Sequence, residues 1–197
     1  MAMQGPTAPP RLAFGPDDHG RAVSSEDFAE ADFVEGWKYE RSEGELIVMS
    51  PPGHIHNENT RPWRLRLSDY WLKHLERVED VLPEAWMRIG KQADRIGDIG
   101  VYLLKEGAVP RMPDRAPDLV FEVVSNDRES RGRDYVEKRA EYHRLGVREY
   151  VIVDRFKSCV TVLEFEPRGY RERVLTGAQD YTSPLLPGLV IRLAEVF

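Results

Sequence analysis

The segment Ala116-Pro117-Asp118-Leu119-Val120-Phe121-Glu122-Val123-Val124-Ser125 decides how the chain is read. In an extended strand, alternation puts Leu119, Phe121 and Val123 on one face and Asp118, Val120, Glu122 and Val124 on the other. Glu122 is then an acid inside a run that otherwise reads as buried. A buried carboxylate without a partner costs several kcal/mol, about 3–5 when a partner is removed, so a cation or hydrogen-bond network is expected beside it. The plain structural alternative is a Glu at a strand end paired with an Arg.

The preceding strand supplies a second acid. Ile99, Val101 and Leu103 alternate with Asp98, Gly100, Tyr102 and Leu104. If the two strands are antiparallel around a link at 105–115, one register pairs Ile99 with Phe121 and Val101 with Leu119. That register sets Asp98 opposite Glu122, with Cβ atoms about 5 Å apart. Two carboxylates so close repel unless a cation bridges them or one is protonated. Asp118, roughly 13 Å along the strand from Glu122, is too far to share an ion with it and reads as a strand-start residue satisfying local donors. A hard divalent cation such as Mg²⁺ suits the Asp98/Glu122 pair, since it takes oxygen ligands and retains waters. Mn²⁺ would serve equally.

Following the acids, a helix over about 131–145 places Arg131, Tyr135, Lys138 and Tyr142 on one stripe and ends at Gly146. Lys138 can thus face the acids and counter charge developing on a phosphate. A lysine lying along an amphipathic helix and a core tyrosine are the simpler alternatives. His56 reads as a phosphate-contacting or acid/base residue, or as a residue at a helix start with no such role.

Outward from this centre, Ser24 or Ser25 starts a short helix that Gly36 ends, and Trp37–Arg41 with Glu45–Met49 forms a hairpin. A helix from about His56 to Arg77 follows, its proper start drawn toward Pro62. Further strands are expected at 81–89, 95–104, 147–154, 158–166 and 170–175, and 184–197 supplies a last strand and short helix. The order implies an α/β domain with a mixed sheet over 24–197. The Pro-rich residues 1–23 read as a flexible tail.

The 197 residues carry 28 Lys and Arg against 34 Asp and Glu, a net charge of −6. That argues against coating nucleic acid through bulk positive charge. Two stretches run the other way: residues 54–77 carry +2 and residues 128–148 carry +3. The lone Cys159 excludes an intrachain disulfide and a cysteine zinc site and fits a cytoplasmic protein. No apolar run reaches the ~20 residues that cross a bilayer.

Several segments together resemble the bacterial "putative restriction endonuclease" family of the PD-(D/E)XK nuclease superfamily. They are Tyr39-Glu40 with Gly44-Glu45-Leu46, Met49-Ser50-Pro51-Pro52 with His56, Asp98, and Pro117 to Ser125. Lys138, Tyr142, Gly146-Val147, Glu149 to Asp154, Leu186-Pro187-Gly188-Leu189 and Val196-Phe197 complete the series. The resemblance implies the restriction-endonuclease-like fold, a mixed central β-sheet flanked by helices, and divalent-metal-dependent hydrolysis of DNA phosphodiester bonds. It matches Asp98 and Glu122 to the acids of the pattern and Glu40 to an additional metal-binding acid. Two positions depart from it. Gly97 stands where the pattern has Pro, and Val124 where it has Lys, which makes Lys138 the expected catalytic lysine. Arg131, His56 and Tyr142 are expected to contact substrate, and the expected partners are DNA and a second copy of the chain. The competing expectation is a catalytically silent module of the same fold that binds nucleic acid or mediates oligomerisation.

Overall fold

The computed structural model describes residues 11–107, 112–113, 115–125 and 128–197. The first ten residues of the expected tail and part of the link between the acid-bearing strands lie outside them. The chain packs as two compact units, residues 11–51 with 90–94, and residues 52–89 with 95–197.

In the first unit, β1 (Ala13–Phe14) runs parallel to β2 (Asp32–Phe33). Phe14 and Val23 are buried, so this part of the expected tail is built into the unit. Ser24 Oγ accepts from the Asp27 amide at 3.0 Å and caps α1 (Ser25–Glu30). That helix ends before Gly36, because Phe33 turns into β2 and packs its ring on Phe14, Phe28 and Tyr39. The hairpin β3 (Lys38–Ser42) and β4 (Glu45–Met49) turns at Glu43 and Gly44, both left-handed (φ 52° and 84°), the tight-turn geometry that favours Gly. Buried Arg41 on β3 donates to Asp94 at 2.7 Å.

In the second unit, α2 (His54–Lys73) is followed by β5 (Val78–Ile89), and β6 (Ala93–Leu103) enters from the first unit. Next come β7 (Leu119–Val123), α3 (Arg128–Gly132), a π-helical turn (Arg133–Glu137) and α4 (Lys138–Leu145). The strands β8 (Glu149–Asp154), β9 (Cys159–Glu166) and β10 (Gly169–Thr176) complete the sheet. A small pair, β11 (Asp180–Tyr181) and β12 (Ile191–Arg192), closes the chain. The strand order is β10-β9-β8-β7-β6, with β5 also paired to β6. Only β7 and β8 are parallel among the registers of this order, so the sheet is mixed. The helical segment 128–145 crosses between them.

One face of the sheet is the core. Ile99, Val101, Leu119, Phe121, Val123, Val151 and Val153 pack with Trp63, Leu67 and Tyr70 of α2. Trp63 sits 5.9 Å from the Phe121 ring and 5.7 Å from the Tyr181 ring. Burying such side chains contributes about 1.5–3 kcal/mol each. This packing explains α2, which begins eight residues before Pro62 rather than at it. A proline inside a helix costs about 3 kcal/mol, and the buried Thr60, Trp63, Leu67 and Tyr70 hold the helix together around it.

Glu149 on β8 is buried and accepts hydrogen bonds from Tyr181 and from Ser183 Oγ at 2.8 Å. Burial pushes its carboxyl above the ordinary value, and the two hydroxyl donors only partly offset this. A raised folded-state pKa contributes stability that is full below the unfolded value and is lost as pH rises through the folded one. Denaturant titrations from about pH 4 to about pH 8 should therefore show Glu149→Gln gaining stability relative to the wild type as pH rises. A pH-independent difference would disprove this.

Candidate active site

The site lies on the sheet face opposite Trp63 and forms where β6 and β7 stop pairing. The ladder holds Ile99 to Phe121, Gly100 to Val120 and Val101 to Leu119, the register expected from alternation. Beyond Ile99 the pairing expected for Asp98 and Glu122 is not a ladder pair. The Val123 amide instead donates to the side chain of Asp98, Oδ2, at 2.8 Å. Alternation breaks here as well. Ile99 faces the core, whereas a Cβ built on Gly97 would point at Val120 and Glu122 on the opposite face. Asp98 thus substitutes a carboxylate for a backbone acceptor at the point where the strands part.

Glu122, 3% exposed, accepts from Lys138 Nζ at 2.9 Å and from the Tyr142 hydroxyl at 2.9 Å, both on Oε1. Its Oε2 takes none of the hydrogen bonds among the described residues. Burial pushes the Glu122 carboxyl up to about 8; Lys138 pulls it down, and Asp98 and Asp134 push it up. The other oxygen of Asp98, Oδ1, lies 3.1 Å from Nε2 of His56 in the first turn of α2. The expected residues therefore form two contact groups, Glu122 with Lys138 and Tyr142, and Asp98 with His56, which the hydrogen bond from the Val123 amide to Asp98 brings to adjacent strand positions.

Other expected residues lie elsewhere. Arg131 is engaged with Asp154. Glu40, buried on β3, belongs to the first unit. Asp118 behaves as a strand-start residue, accepting from the Leu103 amide at 3.0 Å with Lys105 Nζ at 2.9 Å.

The π turn accounts for the split along the helix. A single stripe was expected for Arg131, Tyr135, Lys138 and Tyr142. The wider turn at 133–137 shifts the phase, so Arg131 and Tyr135 reach Asp154 while Lys138 and Tyr142 reach Glu122. Two contributors escaped sequence reasoning. Asp134, buried on the π turn, stands 3.4 Å from Lys138 Nζ. Arg95, fully buried on β6, clamps Glu141 of α4 at 2.7 and 3.0 Å and reaches Glu137 at 3.0 Å, fixing the helix that carries Lys138. A charged residue three before Asp98 was the available signal for Arg95. Asp134 is four before Lys138, an ordinary i,i+4 spacing that carries no signal of its own.

The Asp98 and Glu122 carboxylates, the latter with an oxygen that takes no hydrogen bond among the described residues, are a donor set that a hard divalent cation fits. Among the described residues no group of three or more His, Cys, Asp or Glu side chains is arranged to hold a metal. An ion held by these two acids would therefore retain several waters, as Mg²⁺ does.

Comparison with known proteins matches residues 25–194 to the Uma2 family, described as "Putative restriction endonuclease". Among solved structures, a "putative nuclease belonging to DUF820" from Anabaena variabilis is similar in fold, with TM-score 0.72 and 14% identity. The match covers 89% of this chain and 97% of the other. Among curated proteins none matches. No helix among the described residues is long and apolar enough to cross a membrane.

The structure also explains Gly97. An added Cβ would lie 2.8 Å from Val120 Cγ1, 3.2 Å from Met87 Cε and 3.8 Å from Glu122 Oε1. Gly97→Ala should lower stability by about 1–3 kcal/mol, read by thermal unfolding. Gly132→Ala, whose methyl meets nothing within 4 Å, is the control and should not lower it. Equal midpoints for Gly97→Ala and wild type would refute the close approach.

Proposed function

The chain belongs to the Uma2 family of "putative restriction endonucleases", and from that premise we propose that it is a divalent-metal-dependent endonuclease hydrolysing DNA phosphodiester bonds. The observation that carries this reading is Lys138 Nζ, 2.9 Å from a buried acid whose other oxygen is open. Asp98 and Glu122 would hold the cation, Glu122 through Oε2 and Asp98 through Oδ1, the oxygen that His56 also faces. Such an ion supplies Lewis acidity toward a phosphoryl oxygen and a more acidic bound water. Lys138 would set a fixed ammonium against the charge that grows on the phosphate, with Asp134 Oδ1 3.4 Å from that ammonium. Tyr142 keeps Glu122 Oε1 oriented by its hydroxyl. His56, at the edge of Asp98, is positioned to meet a phosphate oxygen or the leaving group. Glu40, in the first unit, is not among the groups whose geometry supports the reading.

Mg²⁺- or Mn²⁺-stimulated nicking of supercoiled DNA is the direct test. Asp98→Ala and Glu122→Gln should abolish it, and Lys138→Met should lower the rate by about 10²-fold or more, each with an unchanged circular dichroism spectrum. Undiminished cleavage by the two acid variants would sink the assignment.

The competing reading, a silent nuclease-fold module, is favoured by the lack of a three-donor metal cluster among the described residues. Calorimetric titration with Mn²⁺ separates the two. The nuclease reading expects binding that Asp98→Ala removes; no binding by the wild type would favour the module.

A further inference from the structure

The turn at 155–158 that joins β8 to β9 is not part of the acid site, yet its composition points to a ligand. Phe156 is 42% exposed there. The Arg155 guanidinium lies 4.2 Å from its ring centroid and that of Arg131 lies 5.8 Å away. Lys157 Nζ stands 5.4 Å from the Tyr135 ring, and its side chain is 63% exposed. The cluster is built on Asp154, whose buried carboxylate takes the Arg131 guanidinium and the Tyr135 hydroxyl (3.1 Å). It also accepts from the amides of Phe156 (3.1 Å) and Lys157 (3.3 Å). One carboxylate thus fixes the Tyr135 hydroxyl, Arg131, Lys157 and the backbone that carries Phe156, while Arg155 lies on the Phe156 ring; the three cations and one acid leave a local charge of +2.

Its place in the fold is equally informative. β8 is the parallel neighbour of β7, and Val153 pairs with Val123. The turn therefore follows the same carboxyl strand ends as Glu122, where α/β sheets bind ligands. Rings flanked by cations suit a polyanion whose π faces are free, since stacking needs an unstacked base and cations need phosphate. A paired duplex buries its base faces and could use only the cations.

We propose that Phe156, with Arg155, Lys157, Arg131 and Tyr135, forms a stacking platform for an unpaired nucleic-acid strand beside the acid site. The inference rests on the endonuclease reading for its biological sense and deepens it toward substrates with a single-stranded segment.

The test is fluorescence anisotropy with the full chain in chelator, using a labelled oligo-dT strand of about 15 nucleotides, its oligo-rU counterpart and a duplex of equal length. Phe156→Ala should weaken dT binding about tenfold and Phe156→Trp should restore it. The duplex should bind alike to wild type and Phe156→Ala. Lys157→Ala should lower the salt slope on the single strand by about 0.7. The rU arm assigns the platform to DNA if only dT responds to Phe156→Ala, and to either strand type if both do. Wild-type affinity of Phe156→Ala for dT, or an equal loss on the duplex, overturns the proposal. Nicking measured in parallel keeps the failures apart. Absent wild-type nicking with a Phe156 effect on binding removes the nuclease reading alone, whereas retained nicking without that effect removes the platform alone.

Discussion

The carboxylate of Glu122, placed on a strand whose neighbours are all buried, is the constraint around which the second unit is organised. In a dry sheet face it needs donors that cannot drift away, and the structure supplies them from one helix. That helix must then be held in register with the sheet. Arg95 does so from β6 through two hydrogen bonds to Glu141, and Tyr150 does so from β8 through its hydroxyl to the Asp134 carbonyl at 2.9 Å. Tyr142 stands edge-on to Tyr150 at 4.9 Å, which packs the ring that carries the hydroxyl donor to the acid. Removing any one partner would leave a buried polar group to be satisfied by something else, which is why the group behaves as a unit.

How far the sequence reveals this depends on which regularity is in force. The β6/β7 register was legible because alternation is strict and a one-residue slip would turn Phe121 and Ile99 out of the core. It stopped being legible at Asp98, where the strand bulges and a side chain takes over a backbone role. The acid pair was found from its two residues, but the geometry between them was not. Lys138 was reached through helical spacing, which held for Lys138 and Tyr142 because both follow the π turn. Spacing failed for Arg131, which precedes it, and for Tyr135, which lies within it. A π turn leaves no composition signature, because it is an adjustment of backbone phase that pays off only against the packed sheet. Pro62 misled for the opposite reason: a strong local signal was overridden by the tertiary packing of Trp63 and Leu67.

The net charge of −6 acquires a different meaning once burial is known. Seven acids and four bases are buried among the described residues, so half of the excess is interior. Burial pushes the Glu122 carboxyl up to about 8, so it carries less than full charge near neutrality, and it pushes the Glu149 carboxyl up as well. The charge that a polyanion meets is therefore closer to zero than the sequence suggests. Screening over about 8 Å at physiological ionic strength makes the local arrangement decisive rather than the sum. An acidic chain can in this way present basic ground at the carboxyl ends of β7 and β8, where the exposed Lys157 stands 3.8 Å from the Asp154 carboxylate that Arg131 already neutralises. The acids that the fold needs for its chemistry and its packing are hidden together with the bases that hold them, Lys138 and Arg95 among these, while Lys157 stands exposed where a phosphate backbone would first arrive.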